Sequence, residues 1–546
     1  MQRRKFLQDS TIGGLFILSG LSGCVPKESK QTTEASNVLS SNKVPPFELE
    51  EITVTELQDG MESGKYTAKS ITQMYLDRIE AVDMSGPELN SIIELNPDAL
   101  AIAEQLDKER SEGSVRSPLH GIPILIKDNI DTGDKMQTTA GTLVLEGSIA
   151  PEDAFIIKQL RESGAVLLGK TNLSEWANFR SSRSSSGWSG RGRQTRNPYI
   201  LDRNPCGSSS GSGAAVSANL CAIAIGTETN GSIVCPSSSN GVVGIKPTVG
   251  LWSRSGIIPI SHTQDTAGPM GRTVADATAL LGALTGIDNN DEVTTKSEGK
   301  NYQDYTQFLK IDGLKGKRIG VLRSAMDFHE KVDEIMENAF EVMKNQGAEI
   351  IDPVEIKTSR EYGSAGYQVL LYEFKAGVNK YLQRLGDKAP VKSLKEVIEF
   401  NKANADKSMP YFQQEILEQA EEKGDLESKE YKEALEKVLR LSREEGIDAT
   451  LDEYNIDAIV APTGGPAWPI DVINGDHFGG GSSSAAARAG YPNITVPAGF
   501  INGLPVGISI FSTAYREPEL IGMAYAFEQA TKVRKAPEFL PTLKMM

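Results

Sequence analysis

Residues 205–236 read PCGSSSGSGAAVSANLCAIAIGTETNGSIVCP and restrict the fold more than any other stretch of the chain. The loop Gly207-Ser208-Ser209-Ser210-Gly211 is too small-sided to pack a core, so the elements around it must dictate its shape. It runs into Ala214-Ala215-Val216, which predicts a helix start with hydroxyls at its N-terminus. An apolar strand follows over 222–225, and then a polar turn, Thr227-Glu228-Thr229-Asn230-Gly231-Ser232. Such a turn can aim several backbone N–H groups at one point, as an oxyanion hole requires. An anion-binding nest or a plain flexible loop shares this composition, so Gly/Ser richness alone does not choose among them.

The rest of the chain supplies the frame. Hydrophobic residues make up 39% and charged residues 24%, which excludes a disordered, collagen-like or polytopic membrane protein. Thr67 opens a helix with apolar residues at Ile71, Met74, Tyr75 and Ile79. Gly121-Ile122-Pro123-Ile124-Leu125-Ile126-Lys127 reads as a buried strand ending in a lysine. A helix is expected over 154–163 and a strand over 165–169; 317–356 repeats the strand–helix–strand pattern, and Asn502-Gly503 predicts a hairpin turn within 493–511. The segment from about 360 to 455 is helical and highly charged, with Tyr431, Leu435, Val438 and Leu439 as its buried stripe. The expectation is α/β: one large domain over 47–546, a central mixed sheet surrounded by helices, with 360–455 as a helical insertion.

The N-terminus reads as an address. Arg3, Arg4 and Lys5 precede an apolar stretch too short for a bilayer, which needs about 20 apolar residues. The Arg pair followed by Phe6-Leu7 resembles a twin-arginine export signal, and Leu21-Ser22-Gly23-Cys24 resembles a lipobox. Residues 1–23 are therefore expected to be removed, Cys24 to be lipidated, and the polar stretch 24–46 to form a flexible tether. The protein would be exported and held at a bacterial membrane by that lipid alone. With 57 Lys and Arg against 73 Asp and Glu, the net charge of −16 argues against a nucleic-acid partner. Cys206, Cys221 and Cys235 are an odd set without nearby His, so neither a disulfide framework nor a zinc site is expected.

A nucleophilic serine needs a base, and the chain holds four histidines, His120, His262, His329 and His477. Gly207-Ser208-Ser209-Ser210-Gly211 fits the G-x-S-x-G elbow, which would make Ser209 the nucleophile, but that motif demands a preceding strand and 197–205 carries two prolines and no strand pattern. A lysine at a buried strand end can serve instead, because burial disfavours its ammonium form. Lys127, Lys170 and Lys246 all qualify, and spacing does not decide among them.

Across His120-Gly121-Ile122-Pro123 with Lys127-Asp128-Asn129, the 207–213 loop, GTETNGS at 226–232 and GVVGIKPT at 241–248, the chain resembles the amidase signature family of serine hydrolases. The resemblance covers about 47–540 and implies a Ser-Ser-Lys triad of Lys127, Ser208 on a cis peptide, and Ser232 as nucleophile. It implies oxyanion-hole amides at Thr229, Asn230, Gly231 and Ser232, and no metal or organic cofactor. Ser209 becomes a supporting residue. GWSGRGRQTRNPY at 187–199, CGSSSGSG at 206–213 and SIVCPSS at 232–238 look most similar to bacterial peptide amidases, implying a small amide or peptide-amide substrate. Cys206, Ser210 and Asn230 stand where the family commonly has glycine, and no arginine follows Ser232 as it can in members handling acids, which favours a neutral amide. Two alternatives compete: a membrane-anchored solute-binding lipoprotein with two lobes and a hinge, and the amidase-type subunit of a tRNA-dependent amidotransferase, against which the export signal argues.

Overall fold

The structure is a computed structural model and describes residues 44–544. The export signal, Cys24 and the tether up to residue 43 lie outside the described residues. In chain order the strands are β1 Ile92–Leu95, β2 Pro123–Lys127, β3 Val166–Thr171, β4 Trp188–Ser189, β5 Arg193–Gln194, β6 Ile223–Glu228, β7 Val243–Lys246 and β8 Thr266–Gly271. They continue with β9 Arg318–Leu322, β10 Glu349–Val354, β11 Ala458–Pro462, β12 Asn493–Ile501 and β13 Leu504–Phe511. Among the described residues, eleven of these form one sheet in the order β1-β3-β2-β6-β8-β7-β12-β13-β11-β9-β10, while β4 and β5 pair separately. The sheet is mixed, as expected: β2 runs parallel to both β3 and β6, whereas β6 and β8 are antiparallel. Among the described residues the sheet is continuous, with no hinge between two lobes to support the solute-binding alternative.

Burial follows the sequence pattern. Every residue of β2, β3 and β6 is buried, which is why these strands read as unbroken apolar runs and not as alternation. Thr67 caps the helix Ala68–Ile79 by accepting from Ser70 N, and Ile71, Tyr75 and Ile79 face the core. The hairpin turns at Asn502 and Gly503, both at positive φ, the backbone that an Asn-Gly turn supplies at low cost. Helices fill the segment between β10 and β11, from Gly363–Arg384 to Ala449–Tyr454.

Two expectations about the Gly/Ser segment need correction. The helix begins at Ser210, not near Ala214, and β6 extends through Glu228, so Thr227 and Glu228 are strand residues and not part of the turn. Both shifts have one cause. Glycine and serine carry no apolar signal, and tertiary pairing with β8 (Thr227 opposite Ala267, Glu228 opposite Thr266) and enclosure of the helix supply what local sequence lacks.

The parallel register sets Ile126 of β2 beside Ile225 of β6, so the carboxyl ends of two strands about 100 residues apart in sequence finish side by side. The 207–211 loop is pressed against this edge. A Cβ on Gly211 would strike the carbonyl of Ser91 and the main chain of Asn172, groups that cannot step aside. Gly211→Ala is therefore expected to destabilise the fold at or beyond the upper end of the usual overpacking cost of about 1–3 kcal/mol, read by urea unfolding.

Candidate active site

Three chain segments meet where β2 and β6 end. Lys127 closes β2 and is fully buried. Its Nζ donates to Ser208 Oγ (2.7 Å), Thr227 Oγ1 (2.9 Å), Ser209 Oγ (3.0 Å) and Thr227 O (3.2 Å). Burial pushes its pKa down to about 7, against the opposing pull of the Asp265 and Glu228 carboxylates. Half the amine population is thus neutral near pH 7, the state that accepts a proton.

The rivals serve elsewhere. Lys170 Nζ donates to Ile130 O (2.7 Å) and Thr138 Oγ1 (3.0 Å), and Lys246 donates to the carbonyls of Tyr491 and Pro247. Burial lowers both, Lys246 to about 8, yet neither has a serine partner. Of the three lysines, Lys127 alone donates to serine hydroxyls.

The peptide bond between Gly207 and Ser208 is cis, as the resemblance implied. Ser209 Oγ–H donates to Thr227 O (3.0 Å) while accepting from Thr227 N (3.1 Å), which staples the loop to the end of β6. Ser209 N–H also donates to Ser232 O (3.1 Å), joining this loop to the turn that carries Ser232. Ser208 and Ser209 are wholly enclosed, while Ser232 keeps 8% exposure. Of the three, Ser232 alone keeps measurable exposure.

Around Ser232 the backbone turns through Gly231 at φ +83°, a conformation that favours glycine. Among the described residues, the main-chain N–H groups of Thr229, Asn230, Gly231 and Ser232 donate to no protein acceptor. Glu228 instead takes the next two amides, accepting from Ile233 N (2.8 Å) and Val234 N (3.1 Å). The four residues expected to form an oxyanion hole therefore hold unspent donors.

Several contacts around these residues escaped the sequence. Thr227 Oγ1, shared by Lys127 and Asn129 Nδ2 (3.1 Å), links strand end to strand end. Asp265 accepts from Thr229 Oγ1 (2.5 Å) and from the amides of Ile260 and Ser261 (2.8 Å each), and burial raises its pKa to about 6. Asn230 is clasped from the helix Ser483–Ala489: Ser483 donates to its Oδ1 (2.8 Å) and its Nδ2 donates to Ser484 (3.1 Å). The cysteine expectation is overturned. Cys206 and Cys235 form a disulfide with Cα atoms 6.0 Å apart, leaving Cys221 as a buried free thiol. Counting an odd set misled; the usable signal was that each of the two bonded cysteines sits within three residues of Ser208 or Ser232.

A cavity of about 400 Å³ opens beside the cluster, lined by Asn129, Thr227, Thr229, Ile258, Ile260 and Tyr381 among others. Tyr381 comes from the insertion and is anchored by donating to Asp131 Oδ1 (2.7 Å). From the same helix, Glu373 accepts from Thr263 Oγ1 (3.0 Å) and Tyr431 OH (2.7 Å). The insertion is thus tied by buried polar contacts to the loops that shape the site.

The amidase family model matches residues 70–521. A probable amidase of Arabidopsis thaliana is 43% identical over 503 residues, covering 90% of this chain and 93% of its own length. Peptide amidase from Stenotrophomonas maltophilia superposes with a TM-score of 0.87 at 50% identity, over 90% of this chain and 100% of that one. A glutamyl-tRNA(Gln) amidotransferase subunit from Thermoanaerobacter pseudethanolicus is 32% identical, over 90% of this chain and 99% of its length. The chain belongs to the amidase family. It is a hydrolase of C–N amide bonds with the fold of the peptide amidases.

The depressed Lys127 pKa carries a stability signature. Folded, the amine titrates near 7; unfolded, near 10.5. The unfolded chain binds the extra proton between those values, so folding is progressively penalised as pH falls from about 10.5 to 7, and no further below. Lys127→Met is expected to remove this dependence. The stability difference between wild type and variant should change by up to about 1.4 kcal/mol per pH unit inside that window and stay flat below it, measured by denaturant unfolding across pH.

Proposed function

We propose that the protein is a serine amidohydrolase that converts carboxamides to carboxylate and ammonia through Lys127, Ser208 and Ser232, acting on C-terminal peptide amides. The observation that carries this reading is the contact of a dry, half-neutral Lys127 amine with Ser208 Oγ at 2.7 Å. Neutral Lys127 takes a proton from Ser208, which takes one from Ser232 as its alkoxide attacks the amide carbon. The unspent amides at 229–232 receive the oxyanion, each well-placed donor contributing about 3–4 kcal/mol of barrier lowering in other serine hydrolases. The proton then passes back along the relay to the departing ammonia, and water cleaves the acyl-serine by the same route. The Glu228 and Asp265 carboxylates near the relay disfavour an acidic substrate, which supports a neutral amide.

Peptide amides are favoured because identity is 50% to the peptide amidase and 32% to the amidotransferase subunit. Ser232→Ala and Lys127→Ala are expected to lower kcat/KM for peptide amides by at least about 10³-fold in an ammonia-release assay. In wild type, kcat/KM should fall about tenfold per pH unit below roughly pH 7, as Lys127 gains its proton and can no longer accept one. A substrate panel of peptide amides, simple amides and acyl-ureas checks the substrate class; turnover of acyl-ureas alone would overturn it.

The proposal extends to place. A disulfide inside the site suits an oxidising compartment, which supports export; anchoring through Cys24 rests on the lipobox resemblance alone. Cys24→Ala is expected to move the protein from the membrane to the soluble fraction on cell fractionation.

A further inference from the structure

The three positions at which this chain replaces the family's loop glycines are all tied down, and two of them act on one short stretch. Cys206 adopts φ +57°, the left-handed backbone that glycine takes freely and a residue with a Cβ takes at a cost. Its carbonyl is held by Ser210 Oγ–H at 2.6 Å, and Ser210 is the second replacement. Its sulfur is bonded to Cys235, 29 residues on. The third replacement, Asn230, is clasped by Ser483 and Ser484. Cys206 lies two residues before Ser208, and Cys235 three after Ser232. Between these points the two segments also share the Ser209 N–H to Ser232 O bond of 3.1 Å. The disulfide packs against Trp468, which donates from Nε1 to Asp476 Oδ1 (3.2 Å). Asp476 in turn accepts from Asn204 Nδ2 (3.1 Å), two residues before Cys206.

Resting on the relay described above, we infer that the Cys206–Cys235 disulfide is a positioning element for catalysis, a covalent clamp that holds the Ser208 loop in register with Ser232. The physical reason is the shape of the loop. Glycine and serine side chains give 207–211 little apolar contact of its own, so the separation of the two relay hydroxyls is set by whatever joins the segments. A displacement of about 1 Å between reacting groups can cost on the order of 100-fold in rate, even when the fold survives. Cys206 and Cys235 are both buried, 5% and 8% exposed, so a small dithiol reaches the bond through local opening of the two segments. Reduction passes two electrons and two protons from the dithiol to the pair: the S–S bond breaks, Cys206 and Cys235 become thiols, and the reagent closes to its own cyclic disulfide.

The test uses the whole protein with a peptide amide and ammonia readout, before and after dithiothreitol and after reoxidation, with iodoacetamide labelling to report the thiols. Labelling of Cys206 and Cys235 should accompany a kcat loss of about 10- to 100-fold with KM within about twofold, reversed on reoxidation. Cys206→Gly, which restores the residue suited to the left-handed backbone, should match the reduced protein and no longer respond to dithiothreitol. Hydrogen exchange at 206–210 and 230–235 should quicken on reduction while the sheet strands stay protected. A labelled, reduced protein with unchanged kcat overturns the clamp, as does a reduced protein with unchanged exchange at these segments. If Cys206→Gly fails to fold, the reductant arm on wild type still decides. An oxidised wild type that releases no ammonia from any amide would refute the proposed reaction, and the exchange measurement would judge the clamp separately.

Discussion

The site depends on keeping one amine out of water. Lys127 is enclosed at the end of a strand whose every residue is buried, and that enclosure lowers its pKa from an ordinary lysine value to about 7. The amine is not left unpaired: two serines and both oxygens of Thr227 surround it. Hydroxyls and a carbonyl satisfy the amine without supplying the full negative charge that would hold it protonated. The carboxylates that do act on it, Asp265 and Glu228, are turned to other partners: one to Thr229 and the 260–261 amides, the other to the amides after Ser232. The same two acids therefore temper the lysine and shape the turn.

Around this amine the chain spends its small residues on close approach. Gly211 leaves room for the main chain of Asn172, and Gly226 for Ser209, so the relay loop can lie flat on the strand ends. Three other connections fix the loops laterally: the disulfide, the Ser209 to Ser232 main-chain bond, and the clasp of Asn230 by the helix Ser483–Ala489. The helical insertion closes over the cavity from a further side, held through Tyr381 and Glu373. The loops around Lys127 are thus held from several sides, while the cavity opens beside Thr227 and Thr229.

The sequence was most readable where side chains carry a periodic apolar signal. The strand ending at Lys127, the 330–345 helix with its flanking strands, and the Asn502-Gly503 hairpin are all legible because burial or turn chemistry writes them locally. It was least readable in 205–236, where glycine and serine carry no period, and there the helix start and the length of β6 both differ from expectation. Lys127, Ser208 and Ser232, the residues of the proposed relay, were singled out through motif resemblance. The contact of Thr227 with Lys127 and the place of Asp265 against Thr229 were not reached, since neither pairing leaves a mark in local sequence.

The sequence by itself determined the fold class, the family, and the residue types available for proton transfer, because hydrophobic pattern and local motif are one-dimensional properties. The tertiary structure alone decided which of three buried lysines touches a serine, and that Cys206 and Cys235 are bonded partners. It also decided that Asn230 is held by a helix more than 250 residues away. Those outcomes are matters of distance across a sheet whose neighbouring strands are far apart in the chain. Only folding brings the carboxyl ends of β2 and β6 together, and of the three buried lysines only Lys127 is set there against serine hydroxyls.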